Sequence, residues 1–165
     1  MDAAIFPSAT IAEFYRLALL LAGDVYSAQQ LLAVCLAETE AKIDQLRSPE
    51  HRRCWLAMRM RQRSMEQADD VEPLPSAPRL LREGTSEVEN AEILGIEAYI
   101  LAQRFHHLPE PERSALALFY LDLFDTKEIA QIVSLSIEDL ADTLNRARLL
   151  LKDGLNAAHE NSTAP

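Results

Sequence analysis

The chain has 165 residues, 48% of them hydrophobic and 25% charged, which suits one ordinary globular domain or two small ones and excludes a disordered or membrane-embedded polymer. Twenty-six acids against sixteen Lys and Arg leave a net charge of −10, which excludes a uniformly basic nucleic-acid binder but not a local basic patch. Four glycines are too few for the turns of a sandwich or barrel, and Ala and Leu dominate, so the expected fold class is all-α.

Two cysteines, Cys35 and Cys54, cannot make a disulfide framework or a zinc site, and both fall in apolar helical stretches that suit buried free thiols. The longest apolar stretch, Leu17 to Gly23, is too short for a bilayer, and Met1 to Thr10 lacks a basic leader. A reduced, cytoplasmic protein without a membrane association is expected.

In chain order, Thr10 is the expected cap of a first helix. Ile11, Phe14, Tyr15, Ala18, Leu19 and Ala22 follow at helical spacing, and Gly23 stops it. Ser27 is expected to open a second helix to about Leu46, with Leu31, Leu32, Cys35 and Leu36 inward. Ser48-Pro49-Glu50 starts a third, which carries Trp55, Leu56 and Met58. It also carries the one basic segment: residues 47–63 hold six arginines (Arg47, Arg52, Arg53, Arg59, Arg61, Arg63) against Glu50 alone. Arg52, Arg59 and Arg63 share a helix face, Arg53 lies beside it and Arg61 off it. Such a run is either a contact surface for nucleic acid or polymerase, or a set of salt bridges to neighbouring acidic helices.

Pro73, Pro75, Pro78 and Gly84 forbid a helix from Asp70 to Glu87, so a linker is expected over 70–88, between a helical domain over 1–69 and another over 89–155. The second begins with a helix from about Val88 to His107, broken at Leu108-Pro109-Glu110-Pro111. The next helix carries Ala115, Leu116, Leu118, Phe119 and Leu121. Asp125 or Thr126 caps a short helix through Val133, Ser134-Leu135-Ser136 turns the chain, and Ser136 caps a long helix to about Leu155. The polar tail, 156–165, is expected to be disordered. A short helix, a three-residue turn and a longer capped helix form a helix-turn-helix pattern, with Ala130 at the crossing and Ile129, Leu135, Leu140 and Leu144 between the helices. In a DNA-binding version the first turns of the second helix face the bases. Here those turns carry Ile137, Glu138, Asp139, Ala141, Asp142 and Thr143.

The stretches Leu108 to Leu121, Glu128 to Ser136 and Arg146-Ala147-Arg148 together resemble the C-terminal promoter-reading domain of bacterial sigma factors, above all the two-domain extracytoplasmic-function class. From Glu128 to Arg148 the family pattern fits without a gap. Phe14 to Leu19 with Gly23, Asp24 and Ala28 resembles the opening helices of that class, and Trp55-Leu56 with Arg61 its arginine-rich third helix. The resemblance covers roughly residues 10–66 and 97–155.

It implies a protein that binds core RNA polymerase and promoter DNA, with polymerase contacts at Gln29, Gln30 and Leu32. The implied DNA contacts are Arg59, Arg61, Arg63, Thr126, Lys127, Ser136, Arg146, Arg148 and Lys152. The sequence also departs from the family. The clamp-docking acids of the second helix are replaced by Gln29, Gln30, Leu31, Leu32 and Ala33. After Trp55, Gln62 and Ser64-Met65-Glu66 stand where an asparagine, an aspartate and a basic pair are common. Glu138, Asp139, Ala141 and Asp142 stand where the recognition helix is usually polar and basic. Carboxylates there repel phosphates and suit a helix N-terminus.

The alternative is therefore a sigma-like interaction module that binds an anti-sigma protein or another regulator and has lost promoter reading. His106-His107 point about 100° apart on a helix and cannot chelate one ion together. No nucleophile elbow, phosphate-cradling loop or metal-spaced cluster occurs in the sequence. No catalytic residue, metal, cofactor or small-molecule substrate is expected.

Overall fold

The computed structural model describes residues 5–69 and 102–163, with side chains described over 5–66 and 102–153. All its regular structure is helical: α1 (Ser8–Ala22), α2 (Val25–Ala41), α3 (Pro49–Asp69), α4 (helical over 102–106), α5 (Glu112–Leu121), α6 (Thr126–Val133) and α7 (Ile137–Thr163). The expected linker over 70–88, and the expected helix from Val88 as far as residue 101, lie outside the described residues.

Helix ends follow local chemistry, and several differ from the expectation. Helix α1 starts before Thr10, after Pro7, and no side chain caps it. Gly23 ends it in the left-handed region at φ 87, its N–H reaching the carbonyl of Leu19 at 2.9 Å. Asp24, rather than Ser27, caps α2: its Oδ1 accepts from the Ser27 backbone N–H at 2.8 Å. A carboxylate three residues before an orphan N–H is the stronger acceptor, so Ser27 lies inside the helix.

Helix α2 stops at Ala41, short of Leu46. Leu46 turns into the core, and its carbonyl accepts from Arg52 Nε at 2.7 Å, which fixes the loop before α3. Ser48 Oγ accepts from the His51 N–H at 3.1 Å at the start of α3. Helix α7 continues to Thr163, so 156–163, expected to be disordered, is helical backbone. No proline interrupts that stretch before Pro165, and Ala157, Ala158 and Glu160 have good helix propensity.

Helix α1 packs on α2, α3 and α5, α3 also packs on α6, and α5 packs on α6 and α7. One contiguous apolar cluster therefore draws on both halves of the chain. It includes Phe14, Leu17, Leu21, Leu31, Cys35, Leu56 and Met60 from α1–α3, and Phe105, Leu118, Ile129, Leu140 and Ala147 from α4–α7. Phe14 meets Phe124 edge-on at 6.3 Å between centroids, across the two halves. Gly23 is also a close-approach residue. A Cβ there would lie 2.7 Å from Cγ of His106.

Candidate functional site

Helix α3 presents its arginines on two faces, and each face has an internal partner. On one, Arg59 and Arg63 converge on Glu38 of α2. Arg59 Nε reaches Glu38 Oε2 at 2.6 Å and its Nη2 reaches Oε1 at 3.2 Å, while Arg63 Nη2 also donates to Oε1. The two guanidinium hydrogen bonds hold the Glu38 carboxyl down at about 2. The Cys35 thiol, one turn before Glu38, is pushed up to about 12, chiefly by burial and then by the Glu38 charge.

Arg53 and Arg61 face the other way, toward the C-terminal half. Arg61 Nε reaches Glu110 Oε2 at 3.3 Å. Glu110 also accepts from Arg113 Nε at 3.1 Å and Ser114 Oγ at 2.7 Å. Arg113, itself buried, donates to the carbonyls of Leu21 at 3.5 Å and His106 at 3.3 Å, so α1, α3, α4 and α5 meet at one polar junction. Burial lowers the His106 pKa, and the charge of Arg113 lowers it further. Arg53 Nη2 donates to the Leu123 carbonyl at 3.1 Å, and its guanidinium lies 5.5 Å from the Phe124 ring centroid. The sequence marks the arginine run but not its partners. Glu38 and Glu110 are distant in the chain, so nothing local reveals them.

Helices α6 and α7 are separated by residues 134–136. Asp125 and Glu128 form a reciprocal capping box at the start of α6, and Ser134 ends it in the left-handed region at φ 59. Ser136 Oγ accepts from the Asp139 N–H at 3.1 Å at the start of α7. Ile129, Ala130, Leu140 and Leu144 are buried between and beneath the two helices, and Leu135 is partly buried. Glu138, Asp139, Ala141 and Asp142 are exposed, and positions 138 and 142, like 139 and 142, lie one turn apart. Three carboxylates thus stand together over the first turns of α7.

The remaining cations of this region lie elsewhere. Lys127 and Lys152 are exposed, as are Thr126 and Ser136. Arg146 pairs with Glu112 at 3.3 Å, and Arg148 lies 5.1 Å from the Phe119 ring centroid. On α2, Gln29 and Gln30 are exposed, whereas Leu32 is 7% exposed and belongs to the core, so only the two glutamines are available to a partner.

A shallow groove of about 420 Å³ runs between α2 and α3, lined by Ala41, Lys42, Trp55 and Met58 beside the Glu38–Arg59 pair. Lys42 Nζ lies 5.4 Å from the Trp55 ring centroid. Among the described residues no group of His, Cys, Asp or Glu could hold a metal ion, and no helix is long and apolar enough to cross a membrane. Comparison with family models, with curated proteins and with solved structures finds no match to this chain.

Proposed function

We propose that this chain is a sigma-like interaction module, a regulatory protein that engages another protein and does not read promoter DNA through its helix-turn-helix. The observation that carries this reading is the exposed acidic cluster of Glu138, Asp139 and Asp142 at the end of α7 that would enter the major groove. Phosphate contacts supply much of the affinity of a DNA-binding protein, and three carboxylates at that point oppose them. The arginine face offers no substitute while Arg59 and Arg63 hold Glu38 and Arg61 holds Glu110. The partner is a protein surface, such as an anti-sigma-type regulator, that meets the acidic end of α7 with cations of its own.

The second reading is a sigma-factor-like initiation protein that binds core RNA polymerase and promoter DNA. Exposed Lys127, Arg148 and Lys152 on α6 and α7 favour it, and exposed Gln29 and Gln30 on α2 suit a polymerase contact. Reconstitution separates the two. The full chain is mixed with core RNA polymerase and a library of promoter-bearing fragments. The module reading expects no transcript above core polymerase alone. A transcript from a defined start, dependent on this chain, would overturn it and support initiation.

A further inference from the structure

The outward face of α7 carries a charge order that finds no partner within the described chain. Leu140, Thr143, Leu144 and Ala147 are buried on one side of the helix. Glu138, Ala141, Asp142, Asn145, Arg148, Leu149 and Lys152 are exposed on the other. At about 100° and 1.5 Å per residue, these positions fall within an arc of about 120° and span about 21 Å. The two acids stand at one end of the stripe and the two bases at the other. Asn145 lies midway, with Ala141 and the 61% exposed Leu149 one turn to either side.

Within one helix this order is unfavourable. Glu138 and Asp142 are like charges four residues apart, as are Arg148 and Lys152, and each pair repels across one turn. None of the four forms an ion pair among the described residues, and Arg148 lies over the Phe119 ring at 5.1 Å. Opposite charges from outside would relieve both repulsions, and the same stripe turned end for end supplies them. Set antiparallel about Asn145, Glu138 stands level with Lys152 of a second copy, Asp142 with Arg148, Ala141 with Leu149, and Asn145 with itself. A parallel pair would set like charge on like at every charged level. We propose that this stripe is the contact face of a two-fold symmetric dimer, in which a second copy of this chain packs antiparallel on α7. Ala141 is small enough to admit Leu149 of the other copy, and Asn145 meets its counterpart at the two-fold axis, a polar pair that fixes register. Seven side chains a copy fall well short of the roughly 20 to 30 of a standard interface, so the dimer is weak and reversible, with a Kd on the order of 100 μM. The inference rests on the module reading in taking the acidic end of α7 as a protein-binding surface, and it names that protein.

The test is sedimentation equilibrium of the purified full chain at low salt, from about 10 μM to about 1 mM. The mean mass should rise from that of one 18.5 kDa chain toward that of two. Two charge variants follow, Glu138→Lys with Asp142→Lys, and Arg148→Glu with Lys152→Glu, each checked for wild-type helical content by circular dichroism. Each alone should self-associate at least about tenfold more weakly than wild type. Mixed one to one they should associate at least as tightly as wild type, because each supplies the charge the other lacks. Orientation is read by oxidation. Asn145→Cys should cross-link to its counterpart beyond the wild-type background, whereas Glu138→Cys, held about 21 Å from its own, should not. A wild type that stays monomeric, a dimer indifferent to both charge variants, a mixture no tighter than its components, or cross-linking as ready at 138 as at 145 would overturn the pairing. A monomeric wild type would return this face to a different protein partner. The assay contains neither DNA nor polymerase, so its failure leaves the module reading to the transcription test, and a transcript there leaves the sedimentation result as it stands.

Discussion

Replacing Glu38 by Gln removes the acceptor that two arginines share while keeping the side chain's size. The carboxyl ordinarily titrates at 4.5 and is held at about 2 by the hydrogen bonds from Arg59 and Arg63. At full weight that difference is worth about 3 kcal/mol at neutral pH. The Glu38 side chain is 25% exposed, so water and salt screen the pairing, and about 1 kcal/mol is the expected loss.

The pH dependence follows from the depressed value. The unfolded chain takes up a proton near 4.5 and the folded chain only near 2, so the stabilisation is complete at neutral pH and drains away as pH falls between them. Urea unfolding followed by circular dichroism at pH 7 and pH 3 measures both effects. With a slope of about 2 kcal/mol/M, the variant's midpoint should lie roughly 0.5 M below wild type at pH 7. Less than half of that gap should survive at pH 3. Equal midpoints at pH 7, or a gap that persists undiminished in acid, would refute the clamp.

Two further outcomes are expected. Gly23→Ala puts a Cβ 2.7 Å from the His106 ring and forces a side chain into the left-handed region, so it should cost about 2 kcal/mol, read as a lowered thermal midpoint. Cys35, buried and with its thiol pushed up to about 12, should resist a maleimide in native buffer at pH 7 and be labelled fully in urea, as mass spectrometry of the tryptic peptide reports; rapid native labelling would contradict its burial.

Local signals carried much of the fold. The Gly23 stop, the Ser48-Pro49-Glu50 start, the break at Leu108 to Pro111 and the Ser134–Ser136 turn each depend on residues within one helical turn, and each stands in the structure. The errors at Thr10 and Ser27 share one cause. A cap lies outside the helix it serves, and Ser27 donates its backbone N–H to Asp24 instead of accepting with its side chain. Helix α2 ends earlier and α7 later than expected, because periodicity says little about where an amphipathic helix stops being covered.

The candidate site was legible only in part. The arginine run and the acidic start of α7 are sequence features, and placing Arg61 off the face of Arg59 and Arg63 anticipates their different partners. That the partners are Glu38 and Glu110, and that both halves feed one core through Phe14 and Phe124, depends on long-range packing that no local pattern encodes.

The salt dependence of duplex DNA binding tests the central claim most directly, with wild type compared against the triple variant Glu138→Lys, Asp139→Lys, Asp142→Lys by fluorescence anisotropy. Each lysine that reaches a phosphate steepens the plot of log affinity against log salt by about 0.9. The account predicts no measurable duplex affinity for wild type near physiological salt, and a gain in affinity for the variant with a slope steeper by roughly 2 to 3. Tight duplex binding by wild type, or a variant whose affinity and slope match it, would contradict the claim that the acids on α7 are what keep this end of the molecule off DNA.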